Sequence, residues 1–364
     1  MSDKVLLMVG TKKGAFLFLS DKQRQKWEAH GPYFSGSPIY HLACDQRGGG
    51  PAGDGPQIYA AINSRVWGPE IAVSGDMGSN WQSIGAPKYP ADSGLKVKRV
   101  WHLEPGLHSQ PGVLYAGVEP AGLFVSRDGG LNWEGVDGLN RHDSRDKWQP
   151  GLGGLCLHTI ILHPSDSKRM WAGISAAGVF RTEDGGKIWM LANKGVRADF
   201  LPDKYPEVGQ CVHKIAINPK EPQVLYQQNH CGMYRSADGG VTWDEMTGGL
   251  PSTFGFPLAV HPEDTDTVYL VPLESDGNRV PPGGLAVYRS KDGGQTWKAH
   301  RKGLPQPSYV NVLREGMAID SLNPAGIYIG CQDGSIFASQ DDGDSWHELA
   351  RYLPPVLSVS CAII

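Results

Sequence analysis

The segment Ser126-Arg127-Asp128-Gly129-Gly130-Leu131-Asn132-Trp133 recurs along the chain. It returns as SGDMGSNW at 74–81, TEDGGKIW at 182–189 and SADGGVTW at 236–243. Two further copies are SKDGGQTW at 290–297 and SQDDGDSW at 339–346. A decayed copy at 20–27 keeps only Ser20 and Trp27. Each copy has the chemistry of a β-hairpin turn. Gly permits positive φ at the bend, while Asp and Ser or Thr bond the turn's own amides. The closing Trp has a large ring to bury against a neighbouring sheet. These Asp residues are therefore read as structural.

The sequence between copies is also legible. Val212–Ile217, Gln223–Gln227, Gly232–Ser236 and Thr242–Glu245 read as four short strands, A to D, separated by Asn-Pro and Asp-Gly-Gly turns. Four strands per repeat and seven repeats predict an all-β, single seven-bladed β-propeller over residues 1–364. The chain starts in strand B with Lys4–Val9. The missing strand A is then the C-terminal Val356–Ile363, which pairs with the N-terminal blade, closes the ring and removes exposed sheet edges.

The repeated segment resembles the Asp-box, or BNR repeat. Sialidases, sortilin-type receptors, xyloglucan-degrading glycoside hydrolases and the photosystem II stability and assembly factors carry similar repeats. The resemblance implies the fold more firmly than any one activity. Sialidases are similar in the box, but their six blades and arginine triad are not matched. Their Arg-Ile-Pro type signature has its nearest counterpart at Arg279-Val280-Pro281, in a B–C loop.

Composition excludes some classes. The net charge is −4, the opposite of the basic surplus that a phosphate-neutralising nucleic-acid binder needs. No apolar stretch is long enough for a membrane helix, and Met1–Gly10 is too short for a signal peptide. Six scattered Cys with no CxxC predict reduced thiols and a cytoplasmic setting.

Strand A of each blade lines the channel. Aligned on the following strand B, His102, His158 and His213 each stand 11 residues upstream of it, and His41 fits the same column. Phe256, Glu315, and Ser358 or Ser360 complete the column. Neutral imidazole is the commonest ligand for transition metals. The four His are therefore expected to hold a divalent transition metal (Fe, Cu, Zn or Mn), an architecture similar to that of the carotenoid-cleaving oxygenases. Cys156 and Cys211, two residues before His158 and His213, read as apolar fillers or soft ligands.

The B–C and D–A loops surround this column. Glu315 and His230 are the candidate proton carriers, and Glu70, Glu119, Trp67 and Glu274 the candidate substrate contacts. The expected function is a metal-dependent enzyme acting on a small polar molecule. A glycoside hydrolase acting on a glycan, and a non-enzymatic assembly scaffold, stand as alternatives. A polar channel or packing between blades is the alternative reading of the His column.

Overall fold

The computed structural model describes residues 4–364. The chain is an all-β propeller built of antiparallel sheets. Five sheets have four strands each and span residues 39–85, 99–135, 157–191, 212–245 and 254–300. The sixth has eight strands. Its four strands within 312–350 join Val356–Ile363 through one parallel bridge, Glu315 to Ser358. Val356–Ile363 then pairs antiparallel with Lys4–Thr11, and Gly14–Asp21 and Glu28–Tyr33 follow.

The first strands of successive sheets touch in order, from Ile39–Asp45 to Val312–Ile319 and on to Val356–Ile363, which returns to Ile39–Asp45. Apolar side chains fill the gaps between sheets. One cluster joins Tyr59 and Val73 to Leu114 and Phe124, and the next joins Leu123 and Val125 to Met170 and Phe180. Tyr226 and Tyr269 are fully buried in the equivalent layers further round. Each such ring contributes about 2–3 kcal/mol of burial.

The Asp-box turns share one geometry. Gly130 N donates to Ser126 Oγ (2.7 Å), and Ser126 Oγ donates to Asp128 Oδ1 (2.7 Å). Asp128 Oδ1 also accepts Asn132 N at 2.9 Å. The same Ser or Thr to Asp bond recurs at residues 74, 182, 236, 290 and 339. Trp243 Nε1 donates to Ala192 O and Trp297 Nε1 to Met246 O, so each of these rings is tied to the preceding sheet.

The first strands are not regular. Ile39 pairs with Ile62 but His41 with Ala61, leaving Tyr40 as a one-residue bulge. Val100 pairs with Val118 and His102 with Gly117, so Trp101 bulges. Further round, Thr159 pairs with Gly173 and Lys214 with Gln228, and the bulged residues are His158 and His213. A bulge re-aims the side chains around it, and a one-residue slip moves a side chain to the other face.

Candidate functional site

The Asp-box Ser or Thr gives a common origin for comparing sheets. Ser74, Ser126, Thr182 and Ser236 pair with Ile58, Leu114, Met170 and Leu225. Three residues onward stand Ala61, Gly117, Gly173 and Gln228. Their partners are His41, His102, Thr159 and Lys214. These four residues share a height. His158 and His213 do not belong to that set.

The expected four-His metal centre is therefore corrected. His158 has both nitrogens occupied, Nδ1 by Thr159 Oγ1 (2.9 Å) and Nε2 by Val212 O (3.0 Å). His213 Nδ1 donates to Gly255 O at 2.6 Å. Both acceptor carbonyls lie on the first strand of the next sheet, so these histidines stitch sheet to sheet.

His41 and His102 do meet, with ring centroids 4.2 Å apart. Around them stand Glu104, Lys214 and Glu315. Lys214 Nζ lies 2.6 Å from Glu315 Oε2, His41 Nε2 lies 3.8 Å from the same oxygen, and His102 Nε2 lies 3.4 Å from Glu104 Oε2. Burial lowers His41 to about 3, with His102 adding to the effect. Burial likewise lowers His102 to about 4. Both rings are neutral at pH 7. Burial raises Glu104 to about 7. Burial pushes Glu315 up, but the Lys214 ammonium beside it outweighs that and holds the carboxyl at about 2.

His41, His102 and Glu315 bring ligand-type atoms within 4.8 Å of one another. The hydrogen bonding disfavours an ion there. His41 Nδ1 accepts the Leu103 N–H at 3.4 Å, so Nε2 carries the proton that faces Glu315. The Lys214 ammonium already supplies the positive charge. This cluster is a neutralised axial network, and Glu315 is buried within it.

A cavity of about 260 Å³ opens on the face bounded by the B–C and D–A loops. Phe200, Phe254 and Phe256 supply rings to it, and Cys211, His213, His230, Asp276, Arg279 and Arg314 supply polar groups. Arg279 Nη2 lies 2.5 Å from Asp276 Oδ1, and His230 Nε2 lies 4.0 Å from Asp276 Oδ2. Arg314 stacks over Trp101 (5.6 Å) and Phe256 (6.0 Å). It forms no ion pair among the described residues. Its Nη1 contacts Cys156 Sγ at 3.8 Å. All six cysteines are free.

The sequence-derived candidates separate accordingly. His230 lines the cavity, whereas Glu315 belongs to the axial network. Glu119 is buried and consumed by Arg99 Nη1 (2.6 Å) and Trp101 Nε1 (3.1 Å), so it holds the wall and is not free to bind substrate. Trp67 is 87 % exposed and lines two surface grooves together with Arg65. Glu274 is exposed and bonded by Asn278 Nδ2. Glu70 stands on Gly68–Ser74 opposite Ile62, apart from the cavity.

Lys214, Glu104, Asp276 and Arg314 were not legible as site residues. Counting from the Asp-box Ser would have found Lys214. Arg314 stands beside Glu315 in sequence, and the two side chains reach different sites, the cavity and the axial network, as neighbours on a strand do.

The BNR/Asp-box repeat model matches residues 288–299. The oligoxyloglucan-reducing end-specific xyloglucanase of Emericella nidulans is 26% identical over 209 residues, covering 53% of this chain and 24% of that protein. The chain thus spans about a quarter of the length of the curated relatives it matches. Among solved structures, a GH74 enzyme of Niastella koreensis superposes with a TM-score of 0.62 at 17% identity, covering 94% of this chain and 51% of that one. YCF48 bound to D1 peptide superposes with a TM-score of 0.55 at 16% identity, covering 92% and 96%. The chain carries the Asp-box repeat, and its fold is similar to the propellers of this broad repeat group.

Proposed function

We propose that the chain is a carbohydrate-recognising propeller that takes a glycan unit into the cavity between the B–C and D–A loops. In this reading the eight-stranded sheet counts as two blades. The whole chain is then one seven-bladed ring, closed where Val356–Ile363 meets Lys4–Thr11.

One observation carries the proposal. The cavity combines three aromatic rings with a small set of held polar groups, Asp276, Arg279, His230 and Arg314. Sugars present apolar C–H faces and hydroxyl edges, and such a lining meets both. The xyloglucanase relatives support a glycan as the ligand class. Among the described residues Asp276 is the one carboxylate in the lining, and Arg279 holds it. Most glycosidases need two carboxylates flanking the bond. The proposal is therefore recognition first, with hydrolysis as a separate outcome.

Titration calorimetry against xyloglucan oligosaccharides and a panel of neutral and uronic-acid oligosaccharides tests it. Saturable binding that Phe254→Ala or Arg314→Ala weakens about tenfold supports the reading. Reducing-end release in the same samples would add hydrolysis. A panel with no binder, or binding indifferent to both variants, overturns it.

A further inference from the structure

The cavity lining contains a ligand set that shares only His230 with the groups proposed to meet a glycan. Cys211, His213 and His230 each offer an atom, and these atoms lie within 4.8 Å of one another. Cys211 Sγ stands 3.7 Å from His213 Nε2. In a tetrahedral zinc site, bonds of about 2.3 Å to sulfur and about 2.0 Å to nitrogen place adjacent S and N atoms about 3.5 Å apart. The observed edge is close to that length.

The tautomer is also suitable. His213 Nδ1 is committed to Gly255 O at 2.6 Å, so its proton sits on Nδ1 and the Nε2 lone pair points toward Cys211. A backbone carbonyl holding the far nitrogen is the usual support of a metal-ligating histidine. This is the reverse of His41, whose Nδ1 accepts a backbone N–H. His230 has Asp276 Oδ2 at 4.0 Å from its Nε2, a nearby carboxylate beyond hydrogen-bond reach. The positive charge nearby is partly answered. Arg279 is paired with Asp276, and Arg314 is laid over Trp101 and Phe256.

We propose that Cys211, His213 and His230 form a binding site for one thiophilic divalent transition ion, zinc(II) being the reference case. The fourth coordination position faces the cavity, where water or a ligand oxygen completes the tetrahedron. On binding, the Cys211 thiol proton leaves to solvent and the thiolate sulfur donates to the ion. No electron is transferred. The site does not depend on glycan binding, because its readout is optical and needs no sugar.

The test uses the full chain without a histidine tag, titrated with Co²⁺ alone and then with Zn²⁺ by equilibrium dialysis. One equivalent of Co²⁺ should produce a thiolate-to-cobalt charge-transfer band in the near-ultraviolet, which Zn²⁺ displaces. Cys211→Ser should abolish that band and weaken Zn²⁺ binding by about tenfold or more. His230→Gln, at a half-buried position on the cavity mouth, should weaken it while leaving the far-ultraviolet spectrum unchanged. His41→Ala should change neither band nor affinity. Absence of saturable binding overturns the site and leaves a plain Cys211 S–H to His213 hydrogen bond. Binding that survives Cys211→Ser, or that His41→Ala removes, overturns it as well.

Discussion

His41 and His102 occupy one environment, and His158 and His213 another, although all four come from first strands and fit one column in the sequence. The first pair stands in the cross-strand ladder and faces the axis beside Glu104, Lys214 and Glu315. The second pair is bulged out of the ladder and hydrogen-bonds the backbone of the next sheet. Burial keeps all four rings neutral, so charge does not separate them. Register does. The ladder residue of the second two sheets is Thr159 or Lys214, and a lysine there replaces any ion with its own ammonium.

The comparison is most exposed at Lys214. Lys214→Ala would leave the Glu315 carboxylate buried, with His41 Nε2 at 3.8 Å as its nearest remaining charge-capable partner. Removing one member of a buried pair costs about 3–5 kcal/mol. Urea unfolding should show that loss, and Lys214→Met with Glu315→Leu should recover most of it. A Lys214→Ala protein as stable as wild type would mean that the axial network is not an ion pair. A smaller loss is expected at the bulge. His158→Ala removes the bonds to Thr159 and Val212 and leaves a cavity beneath fully buried neighbours, together about 2–4 kcal/mol. His158→Asn should retain part of that stability if the bond to the next sheet is what matters. Equal losses for alanine and asparagine would assign the effect to packing alone.

The architecture was largely readable because its determinants are local. Six near-complete Asp-boxes fix the turns, and alternating short apolar runs between them fix the strands. The face was readable too, since long D–A loops do bring Phe200 to the cavity and B–C loops bring His230 and Arg279. The column failed for a definite reason. Pro105 pairs with Leu114, but Leu162 pairs with Met170 and Ile217 with Leu225, so the connection from strand A to strand B is one residue shorter in the last two. A constant spacing of 11 therefore lands on the bulge at His158 and His213 and on the ladder at His102. No composition signal marks such a bulge. Glu119 was misread differently. It was expected in a B–C loop, but it is the last residue of the strand Leu114–Glu119, paired with Arg99, and its partners Arg99 and Trp101 come from a first strand some twenty residues earlier, so only pairing reveals that the carboxylate is spent.

The smallest effect separates the axial network from the bulged pair by pH. Glu104 is raised from 4.5 to about 7, so the folded state holds its proton more tightly than the unfolded chain. Its contribution to stability is complete below pH 4.5 and is lost as the pH rises through 7. The axial histidines act in the opposite sense. With folded values near 3 and 4 against 6.5, they withdraw stability as the pH falls below 6.5. Between pH 4.5 and 6.5 the two slopes oppose each other, and the wild-type profile is flattened. Glu104→Gln keeps the shape and deletes only the carboxyl's slope. Relative to wild type, the variant should therefore gain stability between pH 5 and pH 8. The gain should be about 1 kcal/mol, reduced from the full shift because 35 % of the Glu104 side chain meets solvent. Thermal unfolding at the two pH values measures it. A gap that does not widen with pH would place Glu104 in ordinary solvent, and His102 would then face water where the axial network is drawn. The same experiment on His158→Asn should show no such widening, since Glu104 does not touch the bulged histidine.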